Sequence, residues 1–210
     1  MLQHSQILIG THGLEGDLCT VDSARGLVLF AHGSSNSRNS RRNLTLAQTL
    51  QRQGLGTLLF GLLTPDEADD RANAFNVELL ALRVLEAIDA LPAQARGVPL
   101  GLFGANTGAA AALVAAARRP DSVQAVVSRG GRPDLAGDSL ELVRAATLLI
   151  VGSADAEVLQ LNRAALRLLR CEKRIDIVPR ATHLFQEAGT LETVAELASA
   201  WFLAHLRAAA

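Results

Sequence analysis

A short strand, a glycine turn and a helix of small residues follow one another between Val98 and Arg118. The segment 98–103 is apolar, the turn runs from Gly104 to Gly108, and the helix beyond it is mostly alanine. Small residues at these positions let the helix pack closely against the strand, because glycine carries no Cβ atom. The spacing is typical of the G-x-S-x-G nucleophile elbow, whose strained turn lifts one side chain above a parallel sheet.

The central residue of this turn is Asn106, where the elbow motif has a nucleophile. The nitrogen lone pair of a carboxamide is delocalised, and no proton on it is acidic enough for a base to remove, so Asn is a poor nucleophile. Asn does tolerate the positive φ of an elbow better than most residues. We therefore expect position 106 to keep the shape of the turn and to lack its covalent chemistry.

Strands and helices alternate along the chain from Gly26 onward. Continuous apolar runs such as Gly26–His32 indicate strands that are buried on both faces. The alternation predicts a doubly wound, mainly parallel α/β sheet with helices on both faces, as one domain over residues 1–210 without a separate lid domain. The predicted strands are Gln6–Gly10, Gly16–Val21, Gly26–His32, Gly56–Leu62, Val98–Phe103, Val123–Ser128, Thr147–Val151 and Lys173–Val178; the predicted helices are Arg41–Arg52, Asn76–Ala90, Glu157–Leu169 and Leu191–Leu206, with Thr64 and Asp66 as caps before Asn76.

Composition excludes several classes of partner. Apolar residues make up 49% of the 210 positions, charged residues 20%, and the net charge is −1, with no long basic run. This pattern predicts a globular protein that binds neither nucleic acid nor a membrane surface. The N-terminus lacks the regions of a signal peptide, and Cys19 and Cys171 have no metal-ligand spacing. We expect a cytoplasmic monomer or homodimer whose partner is a small molecule.

Five polar side chains stand at the ends of predicted strands: His32, Asn106, Arg129, Asp155 and His183. Function in parallel α/β sheets lies at the carboxyl ends of the strands. The order of Asn106, Asp155 and His183 is the order of elbow residue, acid and base in an α/β-hydrolase triad. His183 would carry the proton between nucleophile and leaving group, and Asp155 would orient the imidazole. Nothing in the pattern predicts a metal ion.

Other residues complete the predicted site. The backbone N–H groups of Thr107 and of the loop at Ser34 are candidates for an oxyanion hole. His32 and Ser35 belong to the same loop and are predicted to face the substrate.

Two arginines and one glutamate have competing interpretations. Arg129 and Arg132 could bind a substrate carboxylate in bidentate fashion, or they could form ion pairs with Asp134 or Asp138. Glu157 competes with Asp155 as the acid of the triad. A further group of basic residues is predicted to be a solvated helix start: Arg38, Arg41 and Arg42.

Several stretches together resemble the dienelactone-hydrolase-like family of α/β-hydrolases, and in particular short bacterial members that are sometimes fused to a phosphoribosyltransferase. The resemblance implies cofactor-independent hydrolysis of small esters, lactones or related acyl compounds. Members of this branch have Ser, and dienelactone hydrolases proper have Cys, where this chain has Asn106. The matching stretches are Leu29–Ser34 with Ser37, Arg38, Arg42 and Asn43, then Leu63–Pro65, Phe103–Ala109, Val127–Ala136, Leu148–Gly152 and Ala181–Phe185.

Asn106 leaves three interpretations of the family resemblance open. The chain is an inactivated variant of a serine hydrolase, a non-catalytic pseudo-hydrolase that binds a small acyl ligand, or a hydrolase with another mechanism. In the last case His183 and Asp155 would activate water, or Ser34 or Ser35 would replace the nucleophile.

A nucleotide-binding reductase is a distant fourth interpretation. The glycines at 101, 104 and 108 superficially resemble the NAD(P)-binding turn of short-chain reductases. That turn lies near the N-terminus of those enzymes, which also use a catalytic Tyr, and this chain contains no Tyr.

Overall fold

The computed structural model describes residues 2–32, 39–93 and 95–208. These residues form an eight-stranded sheet of order β1-β2-β4-β3-β5-β6-β7-β8. β1 and β2 pair antiparallel to each other, β2 pairs antiparallel to β4, and the remaining pairs are parallel. The predicted doubly wound, mainly parallel α/β sheet is therefore confirmed. The strands are β1 (Leu2–Ile9), β2 (Leu14–Val21), β3 (Gly26–His32), β4 (Leu55–Phe60), β5 (Leu100–Ala105), β6 (Val123–Arg129), β7 (Ala146–Gly152) and β8 (Lys173–Val178).

Helices cover both faces of this sheet. The longest, α7, has 16 residues, and no helix in the described ranges is both long and apolar enough to cross a bilayer. The α-helices are α1 (Arg41–Arg52), α2 (Pro65–Asp69), α3 (Val77–Asp89), α4 (Thr107–Arg118), α5 (Ser139–Leu142), α6 (Ala156–Leu168) and α7 (Thr190–His205), and short 3₁₀ helices cover Arg71–Phe75 and Pro133–Ala136.

The central strands are mostly apolar because each contributes side chains to two cores. Along β3, Val28 and Phe30 belong to a core shared with α1 and α7. The alternate residues Leu27 and Leu29 belong to the opposite core, shared with α3 and α4. Successive side chains of a strand point to opposite faces. This alternation explains why the buried strands carry few polar residues, among them Thr57, Ser128 and Thr147.

Helix α4 lies unusually close to the sheet. A Cβ atom on Gly104 would lie 2.5 Å from the Cα atom of Ala109, and a Cβ atom on Gly108 would overlap the carbonyl oxygen of Ala31. Residues 107–116 of the helix are all buried. Only small residues fit between this helix and β3 and β5, as the glycine spacing predicts.

The structure corrects several predicted element boundaries. β1 is longer than the predicted Gln6–Gly10 because all eight of its residues pair with β2, although most of them are exposed and carry no apolar pattern. β5 begins at Leu100 and continues to Ala105, so the strand leads directly into the elbow.

Of the two caps predicted in the polar segment before α3, Thr64 is confirmed and Asp66 is wrong. Thr64 caps the short helix α2, where it forms a capping box with Glu67, and Asp66 lies inside that helix. Asn76 itself caps α3 by accepting a hydrogen bond from the backbone N–H of Leu79. A helix of one or two turns has too few residues to show a periodic pattern, which is why α2 could not be predicted.

The close packing of α4 can be tested at Gly108. We expect Gly108→Ala to lower the free energy of unfolding by about 1–3 kcal/mol, because its methyl group overlaps the backbone of β3. Gly54→Asn is the control, since Gly54 has φ 82° and open space around it, and Asn tolerates this conformation. Urea denaturation measures both. Equal losses in the two variants would contradict a steric requirement at position 108.

Candidate active site

Asn106 occupies the turn between β5 and α4 with φ 52° and ψ −127°. The predicted positive φ is confirmed. The side chain is exposed and makes no capping hydrogen bond to α4. Its carbonyl oxygen accepts hydrogen bonds from the backbone N–H groups of Ala109 (3.1 Å) and Arg132 (3.0 Å). These two hydrogen bonds hold the strained backbone in place. The carboxamide side chain itself remains exposed.

His183 and Asp155 form a hydrogen bond of 2.7 Å between Nδ1 and Oδ2. Asp155 follows β7 and is 15% exposed, whereas His183 follows β8 and is 40% exposed. Asp155 makes no capping bond to α6, so its carboxylate is hydrogen-bonded to the imidazole and not to the helix N-terminus. The contact with Nδ1 leaves Nε2 as the ring nitrogen that can exchange a proton. Between the two candidate acids, the carboxylate that contacts His183 is that of Asp155 and not that of Glu157.

Local hydrogen bonds hold the loops that carry this pair. The Ser153 hydroxyl accepts a bond from the backbone N–H of Arg180 (2.8 Å), which ties the loop after β7 to the loop after β8. Thr182 donates its hydroxyl hydrogen bond to Glu187 (2.6 Å) and its backbone N–H to the same carboxylate (3.1 Å). Sequence reasoning missed Ser153 because its bond to Arg180 joins two loops that are 27 residues apart in the chain.

The loop after β6 touches both the elbow and the histidine. Arg132 donates its backbone N–H to Asn106, and a Cβ atom on Gly130 would lie 3.7 Å from Nδ1 of His183. The buried side chain of Asn162, on α6, donates a hydrogen bond of 2.9 Å to the carbonyl of Gly131. The loops that carry residues 106 and 183 therefore both contact one short segment, residues 130–132, at the carboxyl edge of the sheet.

A protein of known structure is similar to this chain over nearly its whole length. The dienelactone hydrolase of Anabaena variabilis ATCC 29413 is 49% identical, with a TM-score of 0.92 and 99% of each chain covered. The chain belongs to the dienelactone hydrolase family. Est1E of Butyrivibrio proteoclasticus shares the α/β-hydrolase fold at 14% identity, with a TM-score of 0.78, 95% of this chain and 98% of that chain covered.

Two Mycobacterium tuberculosis proteins, provisionally named phosphoribosyl transferases, are 52% identical to this dienelactone hydrolase family member over 203 residues. The match covers 96% of this chain and 46% of each of theirs. The chain therefore spans less than half the length of these curated relatives. No family model matches the sequence.

The two predicted arginines have different environments in this family member. The Arg132 guanidinium is held by the Asp134 carboxylate at 2.7 and 2.9 Å, and this hydrogen bond raises the pKa of Arg132. The ion-pair alternative is confirmed for Arg132. Arg129 instead is buried, with Nε and Nη1 lacking hydrogen-bond partners. Arg42, at the start of α1, is half-buried and donates a long hydrogen bond of 3.5 Å to the carbonyl of Leu184.

The remaining predicted site residues lie around the elbow or outside the described residues. His32 ends β3 and pairs with Ala105 in the sheet, next to the elbow. Thr107 is the buried first residue of α4, where backbone N–H groups have no partner within the helix. Ser34 and Ser35 lie in the segment 33–38, outside the described residues.

Within the described part of the chain, no group of three His, Cys, Asp or Glu side chains is placed to hold a metal ion. Gly101, which suggested a nucleotide-binding turn, lies against the Phe202 ring, where a Cβ atom would be 2.6 Å from Cε1. Close packing against the Phe202 ring therefore explains why position 101 is a glycine.

His32 makes the stability of the protein depend on pH. Burial, followed by the charges of Arg129 and Arg42, lowers the pKa of His32 from 6.5 to about 4. Between these two pH values the unfolded chain binds the proton more readily, so stability falls as the pH is lowered. The shift corresponds to at most about 3 kcal/mol, present in full above pH 6.5 and lost by pH 4.

We expect His32→Gln to flatten this part of the pH profile. Urea denaturation between pH 4 and 7.5 measures the difference between parent and variant at each pH. His12→Gln is the control, since His12 is exposed in the β1–β2 turn. A parent and a His32→Gln variant with parallel profiles would contradict the buried neutral imidazole.

Proposed function

We propose that this member of the dienelactone hydrolase family carries a cofactor-independent hydrolase site for small esters, lactones or related acyl compounds, with Asn106 in the nucleophile position. The observation that carries the proposal is the 2.7 Å contact between His183 and Asp155 at the sheet edge where the elbow holds residue 106 at φ 52°. An exposed histidine oriented by a shielded carboxylate is the acid–base pair that acyl transfer requires.

A hydroxyl at position 106 would complete the ordinary two-step reaction. Its oxygen would attack the acyl carbon while Nε2 of His183 accepts the proton, and Asp155 would stabilise the resulting imidazolium. The backbone N–H groups of Thr107 and of the loop at Ser34 would bind the oxyanion. His183 would then protonate the leaving group. In the second step His183 would accept a proton from water as the water attacks the acyl-enzyme, and it would return that proton to the hydroxyl at position 106 as the acyl group leaves.

Asn106 cannot begin this sequence, because its carboxamide is not nucleophilic. The proposed activity of the chain itself is therefore weak hydrolysis by water that His183 activates. Sites that lack one triad member retain about 10³–10⁴-fold catalysis over water from binding and the oxyanion hole. Binding of an acyl ligand without turnover, as in a pseudo-hydrolase, is the second candidate, and the non-nucleophilic side chain of Asn106 at the elbow favours it.

The mycobacterial relatives add no second activity to this proposal. Their transferase name belongs to proteins more than twice as long as the matched region. The proposal for this chain rests on its own site, with a small molecule as the partner and without a role for nucleic acid, membrane or metal.

The nucleophile position can be tested by Asn106→Ser. We expect this variant to hydrolyse p-nitrophenyl acetate and butyrate at least about 10²-fold faster than the parent, because a hydroxyl beside His183 restores the covalent route. Asn106→Ala is the matched control and should stay at the level of the parent. Release of p-nitrophenolate measures turnover, and circular dichroism verifies folding. A folded Asn106→Ser variant without added activity would overturn the assignment of position 106.

The acid can be tested in the Asn106→Ser background. Asp155→Asn should lower kcat by about 10⁴-fold, the loss expected when the group that orients the imidazole becomes an amide. Glu157→Gln is the matched control two residues away and should keep kcat within a few-fold. The same esterase assay measures both. Comparable losses in the two variants would show that the contact between Asp155 and His183 does not set the rate.

A further inference from the structure

Strand β1 forms one edge of the sheet, and its outer side has no hydrogen-bonded neighbour among the described residues. The strand is at the end of the sheet order and pairs with β2 alone. None of its backbone hydrogen bonds within the described part of the chain reaches another element. The side chains from Leu2 to Gln6 are exposed on both faces as well. The outward N–H and C=O groups of β1 are therefore a template on which another strand can pair.

β1 lacks the features that usually keep an edge strand from pairing. Those features are charged side chains, proline, bulges and a short length. β1 has eight residues, none of which is Lys, Arg, Asp, Glu or Pro, and its pairing with β2 runs without a shift of register. Strand β8, at the opposite edge, has six residues and carries Lys173, Arg174 and Asp176. Charged side chains therefore protect one edge of the sheet and not the other.

The side chains of β1 complement a second copy of the same strand. Leu2 and Leu8 are 47% and 71% exposed, and their even spacing places both side chains on one face of the strand. In an antiparallel pair of two copies with a two-fold axis at Ser5, Leu2 of each copy lies opposite Leu8 of the other. Each exposed leucine then has an apolar cross-strand partner. Because β1 has no Asp, Glu, Lys or Arg, this register brings no like charges of these residues together.

We infer that β1 is a homodimerisation edge, at which two copies of the chain join by antiparallel β1–β1 pairing, centred on Ser5, into one continuous sheet. A two-fold axis uses the same surface of both copies, so assembly stops at the dimer. Backbone hydrogen bonds supply the affinity, and the leucine pairs fix the register. The loops that carry Asp155 and His183 follow β7 and β8, at the other end of the sheet order. The inference therefore does not depend on the proposed function.

The mass of the protein in solution tests the inference. We expect the parent to sediment at twice the mass of the 22.2 kDa chain at about 100 µM, a high concentration because pairing of one strand gives a small interface. Leu8→Lys should sediment as a monomer, because a charge on an edge strand opposes pairing. Ile177→Lys is the matched control on β8, at a position that is 40% exposed, and it should stay dimeric. Analytical ultracentrifugation measures the mass, and circular dichroism verifies folding.

A cysteine at the inferred two-fold axis tests the register. Ser5→Cys places the thiols of the two copies opposite each other, so mild oxidation should give a covalent dimer on a non-reducing gel. Gln3→Cys is the matched control on the same face of β1. Its two thiols would lie four positions apart along the strand pair, about 14 Å, which is too far for a disulfide. The parent, with Cys19 and Cys171, gives the background. Equal yields of covalent dimer from the two variants would contradict the register.

Three results of the sedimentation experiment would overturn the inference. A monomeric parent would leave the edge of β1 to a strand of a different chain. A folded Leu8→Lys variant that stays dimeric would place the contact on another surface, and an Ile177→Lys variant that becomes monomeric would place it at β8. If Leu8→Lys does not fold, Leu2→Lys decides, because Leu2 is the inferred cross-strand partner of Leu8 and is itself exposed.

Discussion

The close contact of α4 with β3 and β5 is the constraint on which the rest of the structure depends. Gly104 and Gly108 bring the helix so near the sheet that any side chain at either position would collide with backbone or with the next turn. The turn between strand and helix must then be sharp, which forces Asn106 to a positive φ. Backbone strain of this kind persists only where the surrounding structure holds it in place. Here two hydrogen bonds to the backbone carbonyl of Asn106 hold it.

The contact between Asp155 and His183 is built independently of residue 106. Asp155 and His183 come from the loops after β7 and β8, and Ser153 joins those two loops. The loop after β6 contacts both the elbow and the histidine, and Asn162 fixes it from α6. A change of side chain at the elbow therefore leaves the geometry of the pair intact. This separation is the reason that the chain can combine Asn106 with a paired Asp155 and His183.

Sequence patterns predicted the long elements and the edge of the sheet where the site lies, because buried strands and amphipathic helices repeat over many residues. They could not choose between Asp155 and Glu157, two carboxylates at the start of one helix; the register of β7 against β8 decides which one meets His183. They also could not separate Arg129 from Arg132. Strand β6 ends between them, so the first points into the core layer and the second reaches Asp134.

The sequence by itself determined the α/β sheet, the elbow and the order of its candidate acid and base, since these depend on local periodicity and on glycine positions close together in the chain. The tertiary structure alone decided which groups meet. The contact of His183 with Asp155 joins residues 28 positions apart, and that of Arg42 with Leu184 joins residues 142 positions apart. Among the described residues, the buried Nε and Nη1 atoms of Arg129 have no hydrogen-bond partner. Burial and charge balance are properties of the packed chain, and no local pattern encodes them.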